Sequence, residues 1–460
     1  MKRTFTPELD AEVTARLTDF ARLFEDDFHR CEQAQWSEVY LRGLLQDGDR
    51  KSVEPLVQRV QQSTELKGRD PTQAIQNFVH QGAWDHERVL RRYRALMGKH
   101  FRDPNGIFVF DDTSFPKKGS HSVGVQRQYC GALGKTANCQ VAVSLEYATS
   151  KVHYPLNVRL FLPESWTQDP KRLDKAKVPE EVRSFRSKTE IALELLDQVR
   201  EEGVPGNIAV ADAAYGNSGP FRKGLEDRGL SYIVGINDST VVFQEEPRWE
   251  EPKKPTVGRP QKGAKLQEDN PRPISLKELG SSIRRRKCTW REGVNGKLSG
   301  YFAWQRVWLA HGWTSGECAG EPPVWLLVER DVDGKLKYAI SNLPPSTSMR
   351  TGVRLWKSRW SVEQAYQQLK EELGLDHYEG RNWKGFHHHV CLAFLAYGFL
   401  LLETMRAKKT VARRREKNSS SKAHHPSHQA SPAANTRTKS KTGLPLLQKS
   451  GRLPASKLTE

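Results

Sequence analysis

Ile107-Phe108-Val109-Phe110-Asp111-Asp112-Thr113-Ser114 is the stretch on which the reading of this chain turns. Four consecutive apolar residues that stop on a pair of aspartates have the length and composition of a short buried strand. A second run of the same kind, Ile208-Ala209-Val210-Ala211, stops on Asp212. Around these two, Val123 to Tyr129, Cys139 to Tyr147, Val152 to Leu162 and Tyr232 to Ile236 read as strands. Lys188 to Glu202 is an amphipathic helix closed by Gly203, and Gly219 to Arg228 is a further helix. Strands alternating with helices predict an α/β core over residues 101–237. In such sheets, ligands and catalytic groups gather at the carboxyl ends of strands, where Asp111, Asp112 and Asp212 stand. One strand-end aspartate alone is as readily a cap or turn residue, so it is their combination that carries weight.

Upstream, residues 1–100 predict a helical domain. Pro7 to Phe28, Glu32 to Leu45, Pro71 to Gln81 and Trp84 to Lys99 carry apolar residues at three- and four-residue spacing. Asp70-Pro71 reads as an N-cap followed by proline in the first helical position. The helix from Trp84 carries Arg88, Arg91, Arg92 and Arg94, either a phosphate-facing stripe or a solvated face. Downstream, residues 238–345 read as a β-rich insertion: loop-like over 244–287, then β-prone in Leu298–Leu309, Val324–Arg330 and Lys335–Ile340. Helix returns over 346–405, from Arg350 to Glu372 and from Phe386 to Lys408.

Composition narrows the function classes. The chain has 460 residues and a formal charge of +18. The last 55 residues hold 14 Lys and Arg against Glu416 and Glu460, and few large apolar groups. Such a tail, 406–460, is expected to be disordered, because it buries too little to offset chain entropy, and to attract polyanions. Six scattered cysteines without a C-x-x-C pair exclude a disulfide scaffold and a zinc ribbon, and suit a reducing compartment. The N-terminus lacks an apolar signal region, and the longest apolar run, Val390 to Leu402, is short of the roughly 20 residues a membrane span needs. The expectation is a soluble, cytoplasmic protein.

Trp356-Lys357-Ser358-Arg359-Trp360-Ser361-Val362-Glu363, continuing to Lys370, supplies the third acidic candidate. On one continuous helix, at about 100° per residue, Trp356, Arg359 and Lys370 all fall within about 40° of Glu363. Taken alone, that face is equally a surface ion-pair stripe. Taken with the strand-end aspartates, it has an order: Asp112, Asp212 a hundred residues on, then Glu363.

The Arg359-x3-Glu363-x6-Lys370 spacing resembles the Tyr-x2-Arg-x3-Glu-x6-Lys signature of insertion-sequence DDE transposases, with Trp356 where the tyrosine usually stands. Asp112-Thr-Ser and Ala-Asp212-Ala-Ala-Tyr-Gly are similar to the flanks of that family's two aspartates, and Tyr40-Leu-Arg-Gly-Leu-Leu45 to its N-terminal region. The resemblance runs from about residue 15 to 405. It implies a ribonuclease-H-like core, interrupted by the β-rich insertion, in which Asp112, Asp212 and Glu363 hold two Mg2+ ions, with Mn2+ as a substitute. It further implies cleavage at terminal inverted repeats, transfer of the freed 3′ hydroxyl into target double-stranded DNA, and a homodimer on the DNA near the bacterial nucleoid. Hard carboxylate oxygens suit Mg2+, and a metal pair activates one oxygen and stabilises another. Arg359, Lys370, Trp356, Lys118 and Arg259 are the residues expected to meet DNA. If Phe110 and Asp112 share a strand face, Asp111 points the other way; both remain candidates for the first ligand, with Asp112 favoured. Two rival functions stay open: a nuclease that cuts without joining, and a DNA-binding repressor with a dead core.

Weaker signals remain. Gly258-Arg259-Pro260 is similar to the core of a minor-groove hook, or an ordinary basic loop, and Arg284 to Lys287 are a phosphate contact or a solvated run. Trp290, Trp304, Trp308 and Trp325 either stack on an extruded base or fill a β core. His387-His388-His389 point about 100° apart on a helix and cannot share one ion, so a helix-end or DNA-backbone contact is expected.

Overall fold

The computed structural model describes residues 10–63, 66, 70–251, 263–293 and 296–422. In chain order the helical region holds α1 (Ala11–Arg22), α2 (Cys31–Leu45), α3 (Val53–Ser63), α4 (Pro71–His80) and α5 (His86–Phe101). Asp70 caps α4 as its sequence implies, its side chain accepting from the Gln73 amide. Helix α3 was not foreseen, because Pro55 and the polar Gln61-Gln62-Ser63 end hide three buried residues, Leu56, Val57 and Val60.

The α/β part begins with β1 (Ile107–Pro116), β2 (Gln126–Cys130), β3 (Lys135–Ala148) and β4 (His153–Leu160). It continues with α6 (Glu164–Thr167), α7 (Pro170–Lys175), α8 (Lys188–Glu201), β5 (Ile208–Ala211), α9 (Ala213–Gly216), α10 (Gly219–Asp227) and β6 (Ser231–Ile236). Beyond these come β7 (Val241–Phe243), β8 (Trp249–Glu250), β9 (Lys265–Leu266), β10 (Ile274–Ser275), α11 (Leu276–Ser282), β11 (Arg286–Gly293), β12 (Gly296–Leu309), β13 (Val324–Arg330) and β14 (Leu336–Ser341). Helices α12 (Met349–Ser358), α13 (Trp360–Gln367) and α14 (Trp383–Lys422) close the described chain.

β1, β5 and β6 are parallel neighbours, as the βαβ pattern requires, and β3 joins β1 antiparallel on the other side. The strands of 238–345 do not build a sheet of their own. β14 pairs with β6, β13 with β14 and β12 with β13, so one mixed sheet runs β10-β7-β12-β13-β14-β6-β5-β1-β3-β2. Only β8 and β9 stand apart as a small ribbon. In this region Trp304 stacks on Trp325 with centroids 4.7 Å apart, and their indole N–H groups donate to Thr347 O and Pro344 O. Trp290 meets Phe302 edge-on. These rings pack on one another and on backbone, the β-core alternative of the sequence reading.

Residues through Thr404 form one compact unit, and those from Met405 a second. In the first, Val390 to Ala396 of α14 lie buried, so this apolar helix is a core element. In the second, residues 406–422 are helical, against the expected disorder. Ala407, Lys408, Lys409 and Ala412 to Arg415 are strong helix formers, which sustain a helix without an apolar face. The remainder of the tail, 423–460, lies outside the described residues.

Candidate active site

The parallel register sets the site. Phe110 pairs with Ala211, so Asp111, still paired to β3 within β1, and Asp212, the first residue past β5, follow one another on adjacent strands about 4.8 Å apart. Asp212 then caps α9, accepting from Ala214 N at 2.9 Å. Helix α9 lies close on β6: a Cβ at Gly216 would stand 1.9 Å from Gly235 O, and one at Gly235 would stand 2.7 Å from Ala213 N. That glycine contact holds Tyr215 against the sheet, where its ring meets Phe110 and Phe221.

Asp111 and Asp112 part to opposite faces of β1. Phe110 and Asp112 both meet Tyr215, whose hydroxyl donates to Asp112 Oδ1 at 2.5 Å. On the same side Lys188 Nζ donates to Asp112 Oδ2 at 2.6 Å. Asp111 shares its face with Ser144, its partner on β3, and with Glu146 two residues along that strand. Asp111 Oδ1 accepts from the Asp112 amide at 2.8 Å. Desolvation and the neighbouring charge of Asp212 push its carboxyl up to about 7, with Arg359 pulling the other way. Burial and Asp112 likewise raise Asp212. Glu146 is 1 % exposed, and neither carboxylate oxygen has a hydrogen-bond partner among the described residues. Burial, with the nearby charge of Asp111, raises its pKa well above the usual carboxylate range.

The helix that carries Glu363 is not continuous. It breaks at Arg359, which ends α12 and starts α13, and Gln368–Glu372 form a wider π turn. Arg359 keeps its expected pairing: Nη2 donates to Glu363 Oε1 at 2.8 Å, and the guanidinium lies 5.7 Å from the Trp356 ring centroid. Its charge is felt at Asp111 and Asp212, so Arg359 stands between the aspartates and Glu363. The Glu363 side chain is 49 % exposed. Lys370, carried round by the π turn, donates from Nζ to Ser114 O at 3.1 Å and lies over the Phe115 and Tyr366 rings. Burial lowers its pKa. Trp356 is buried, its Nε1 donating to Glu329 Oε2 at 2.9 Å. Lys118 is exposed, and Arg259 lies outside the described residues.

Two basic signals resolve differently from the nucleic-acid contacts foreseen for them. On α5, Arg88 and Arg92 pair with Asp27, and Arg94 and Arg91 with Glu202. Arg94 is buried and also donates to Leu156 O. This stripe ties the helical region to the core and is not a free phosphate face. The three histidines are core residues: His389 Nδ1 meets Tyr40 Oη, His388 meets Val79 O and Trp84 O, and His387 meets Trp383 O. Burial keeps all three neutral, lowering His388 to about 3 and His389 to about 4.

Asp212 thus stands near both Asp111 and Asp112, which point to opposite faces of β1, while Glu363 is held on Arg359. Among the described residues no three His, Cys, Asp or Glu side chains stand close enough together to hold a metal ion. The aspartate corner nevertheless supplies what a hard cation binds, carboxylate oxygens crowded together, two of the carboxyls with raised pKa values. Lys188 was missed by the sequence reading. Its signal was available, because Ser187-Lys188-Thr189-Glu190 forms a capping box with a cation in the first helical turn, the wrong sign for the helix dipole.

Against known proteins, a family model described as DDE superfamily endonuclease matches residues 23–297. The chain belongs to the DDE superfamily endonucleases. The matched part of this endonuclease contains Asp111, Asp112, Asp212 and Lys188 and ends before Arg359 and Glu363. A curated relative, a probable transposase for insertion sequence element IS701 from Microchaete diplosiphon, is 29 % identical over 201 residues. That alignment takes in 44 % of this chain and 48 % of the relative, so the chain spans about half the length of the curated relative it matches.

Proposed function

We propose that this endonuclease is the transposase of an insertion sequence, cutting DNA at terminal inverted repeats and joining the freed 3′ hydroxyl to target DNA. The observation that supports the reading is the register Phe110↔Ala211, which brings the Asp111-Asp112 pair of β1 beside Asp212, together with the Arg359–Glu363 ion pair, whose guanidinium charge reaches Asp111 and Asp212. In this reading residues 101–237 and 346–405 are a ribonuclease-H-like core, 238–345 its insertion, and 1–100 the part that recognises the repeats. Two ends must be held together, so the active species on DNA is a dimer, working in the cytoplasm at the nucleoid.

Asp112, Asp212 and Glu363 would hold two Mg2+ ions, or Mn2+ in their place. Bound there, the metal pair supplies activation of the attacking oxygen and stabilisation of the leaving one. Tyr215 and Lys188 fix the two oxygens of Asp112 and so its rotamer. Arg359 exchanges its ion pair with Glu363 for a backbone phosphate, for which its planar fork is suited, and so frees Glu363. Lys370 lines the approach to β1, Trp356 supports Arg359 from below, and Lys118 and Arg259 meet the DNA backbone outside the catalytic corner.

A strand-transfer assay on a pre-cut terminal-repeat end with Mg2+ tests the proposal. Joined product that disappears in Asp212→Asn is the expected result. Cleavage without joining would support a non-integrating nuclease, and DNA binding without either activity a repressor.

A further inference from the structure

Away from the carboxylates lies a cavity of about 430 Å3 whose wall brings together Trp166, Arg172, Lys175, Lys177 and Arg381, with Glu379 at its edge. We infer that this cavity is a phosphodiester subsite that grips one strand of the bound DNA several nucleotides from the catalytic corner; this rests on the DNA reading above and deepens it.

Charge is the first argument. Arg172, Lys175, Lys177 and Arg381 make no ion pair among the described residues, and Glu379 is engaged by Arg50. Four cations facing one concavity repel each other, and a polyanion relieves that repulsion. The second argument is preorganisation. Trp166 is 1 % exposed, its Nε1 donates to Val125 O at 2.8 Å, and the Arg172 guanidinium sits 3.8 Å from its ring centroid. Trp383 N donates to Ala176 O and Val123 N to Arg381 O, each at 2.9 Å, which pins the segments around the cavity to one another. Such a site loses little freedom on binding a phosphate.

The third argument is a breach of local rules. Lys177 has φ 54°, the only non-glycine among the described residues with positive φ. It follows α7 as the left-handed residue of a Schellman ending: Val178 N donates to Leu173 O and Lys177 N to Asp174 O. Glycine serves that position without steric cost, whereas the lysine there carries a backbone cost and places its side chain in the cavity lining. The place also fits. The loop after β1 contributes His121 to the lining, and Asp112 to Lys117 spans roughly 16 Å of strand, Lys117 Nζ donating to Tyr378 O next to the lining residues Glu379 to Asn382. At 3.4 Å per base pair this is about five steps along a duplex.

The test uses the full chain, a labelled duplex carrying the terminal repeat, and inorganic phosphate as a second probe. Lys177→Gly relieves the backbone while deleting the charge, so its melting temperature should equal or exceed that of the wild type. Its affinity for the duplex should fall severalfold, and the slope of log K against log salt should become shallower by about 1. Arg381→Gln should show the same slope change, and the double variant about twice that. Unchanged slopes in both, with wild-type binding intact, would overturn the subsite alone. Wild type that does not bind duplex would bring down the DNA reading and the subsite with it. Phosphate binding by calorimetry that is lost in Lys177→Gly, with an unchanged DNA slope, would make the cavity a small-anion site and overturn its assignment to a strand.

Discussion

Two groups of buried ionisable side chains sit in this chain and are treated in opposite ways. The histidine row His387–His389 has a partner for each ring, from the backbone or from Tyr40, and all three rings stay neutral. The carboxylates at the ends of β1 and β5 crowd one another, and Glu146 behind them has no partner at either oxygen. Satisfied polar groups are architecture, and a consecutive histidine run that looks like a metal tract in sequence is here a means of tying α14 to α2, α4 and the turns around it. A crowd of like charges with raised pKa values is instead a place where a cation gains free energy by arriving.

The largest effect should come from the crowded group. Asp212→Asn is expected to abolish Mg2+-dependent cleavage while leaving duplex binding within a few-fold, measured by gel assay and anisotropy. Next, Lys188→Ala should lower cleavage about 10–100-fold, the usual consequence of removing a group that orients a metal ligand, with a raised metal requirement in a Mg2+ titration. A variant as active as the wild type would make Lys188 a bystander.

The satisfied group should show itself in stability. His388→Gln is expected to cost about 1–3 kcal/mol in chemical denaturation, since the amide loses the ring's stack on Trp84, 3.7 Å between centroids, and the position the ring holds against Val79 O and Trp84 O. Acid tests the same row. Each histidine is neutral when folded and protonates near 6.5 when unfolded, so the unfolded state binds more protons between about pH 6.5 and 4. Stability should therefore fall as pH drops through that window, by up to about 1.4 kcal/mol per unit for each histidine. Denaturation curves at pH 7 and 5 check the sign. Last, Glu146→Gln should raise stability at pH 7, because burial lifts the folded Glu146 pKa whereas the amide needs no proton to be buried neutral, and that gain should vanish as the pH falls below the ordinary carboxylate range.

Much of this was legible in the sequence because it is local. The apolar runs before Asp112 and Asp212, the Asp70 cap and the Gly203 stop each depend on neighbours within a few residues. The i,i+4 pair Arg359–Glu363 is local as well and survives intact. What failed was the assumption that one helix carries 350–372: a break at Arg359 and a π turn at Gln368–Glu372 redirect Lys370 from the Glu363 face to Ser114. Helix breaks without proline or glycine leave no trace in the apolar spacing. Glu146, in the part of its strand that is buried on both faces, and the pairing of β14 with β6 depend on long-range register, which a single sequence does not state. The α5 arginines misled for the same reason, since Asp27 and Glu202 lie far from them in sequence.

Soaking or co-crystallising the full chain with Mn2+ and a terminal-repeat duplex, and locating the ions by anomalous scattering, tests the central claim most directly. The expected result is two peaks shared by Asp112, Asp212 and Glu363, with Arg359 turned from Glu363 to a phosphate. Peaks elsewhere, or Glu363 still paired with Arg359 while DNA and metal are bound, would contradict it.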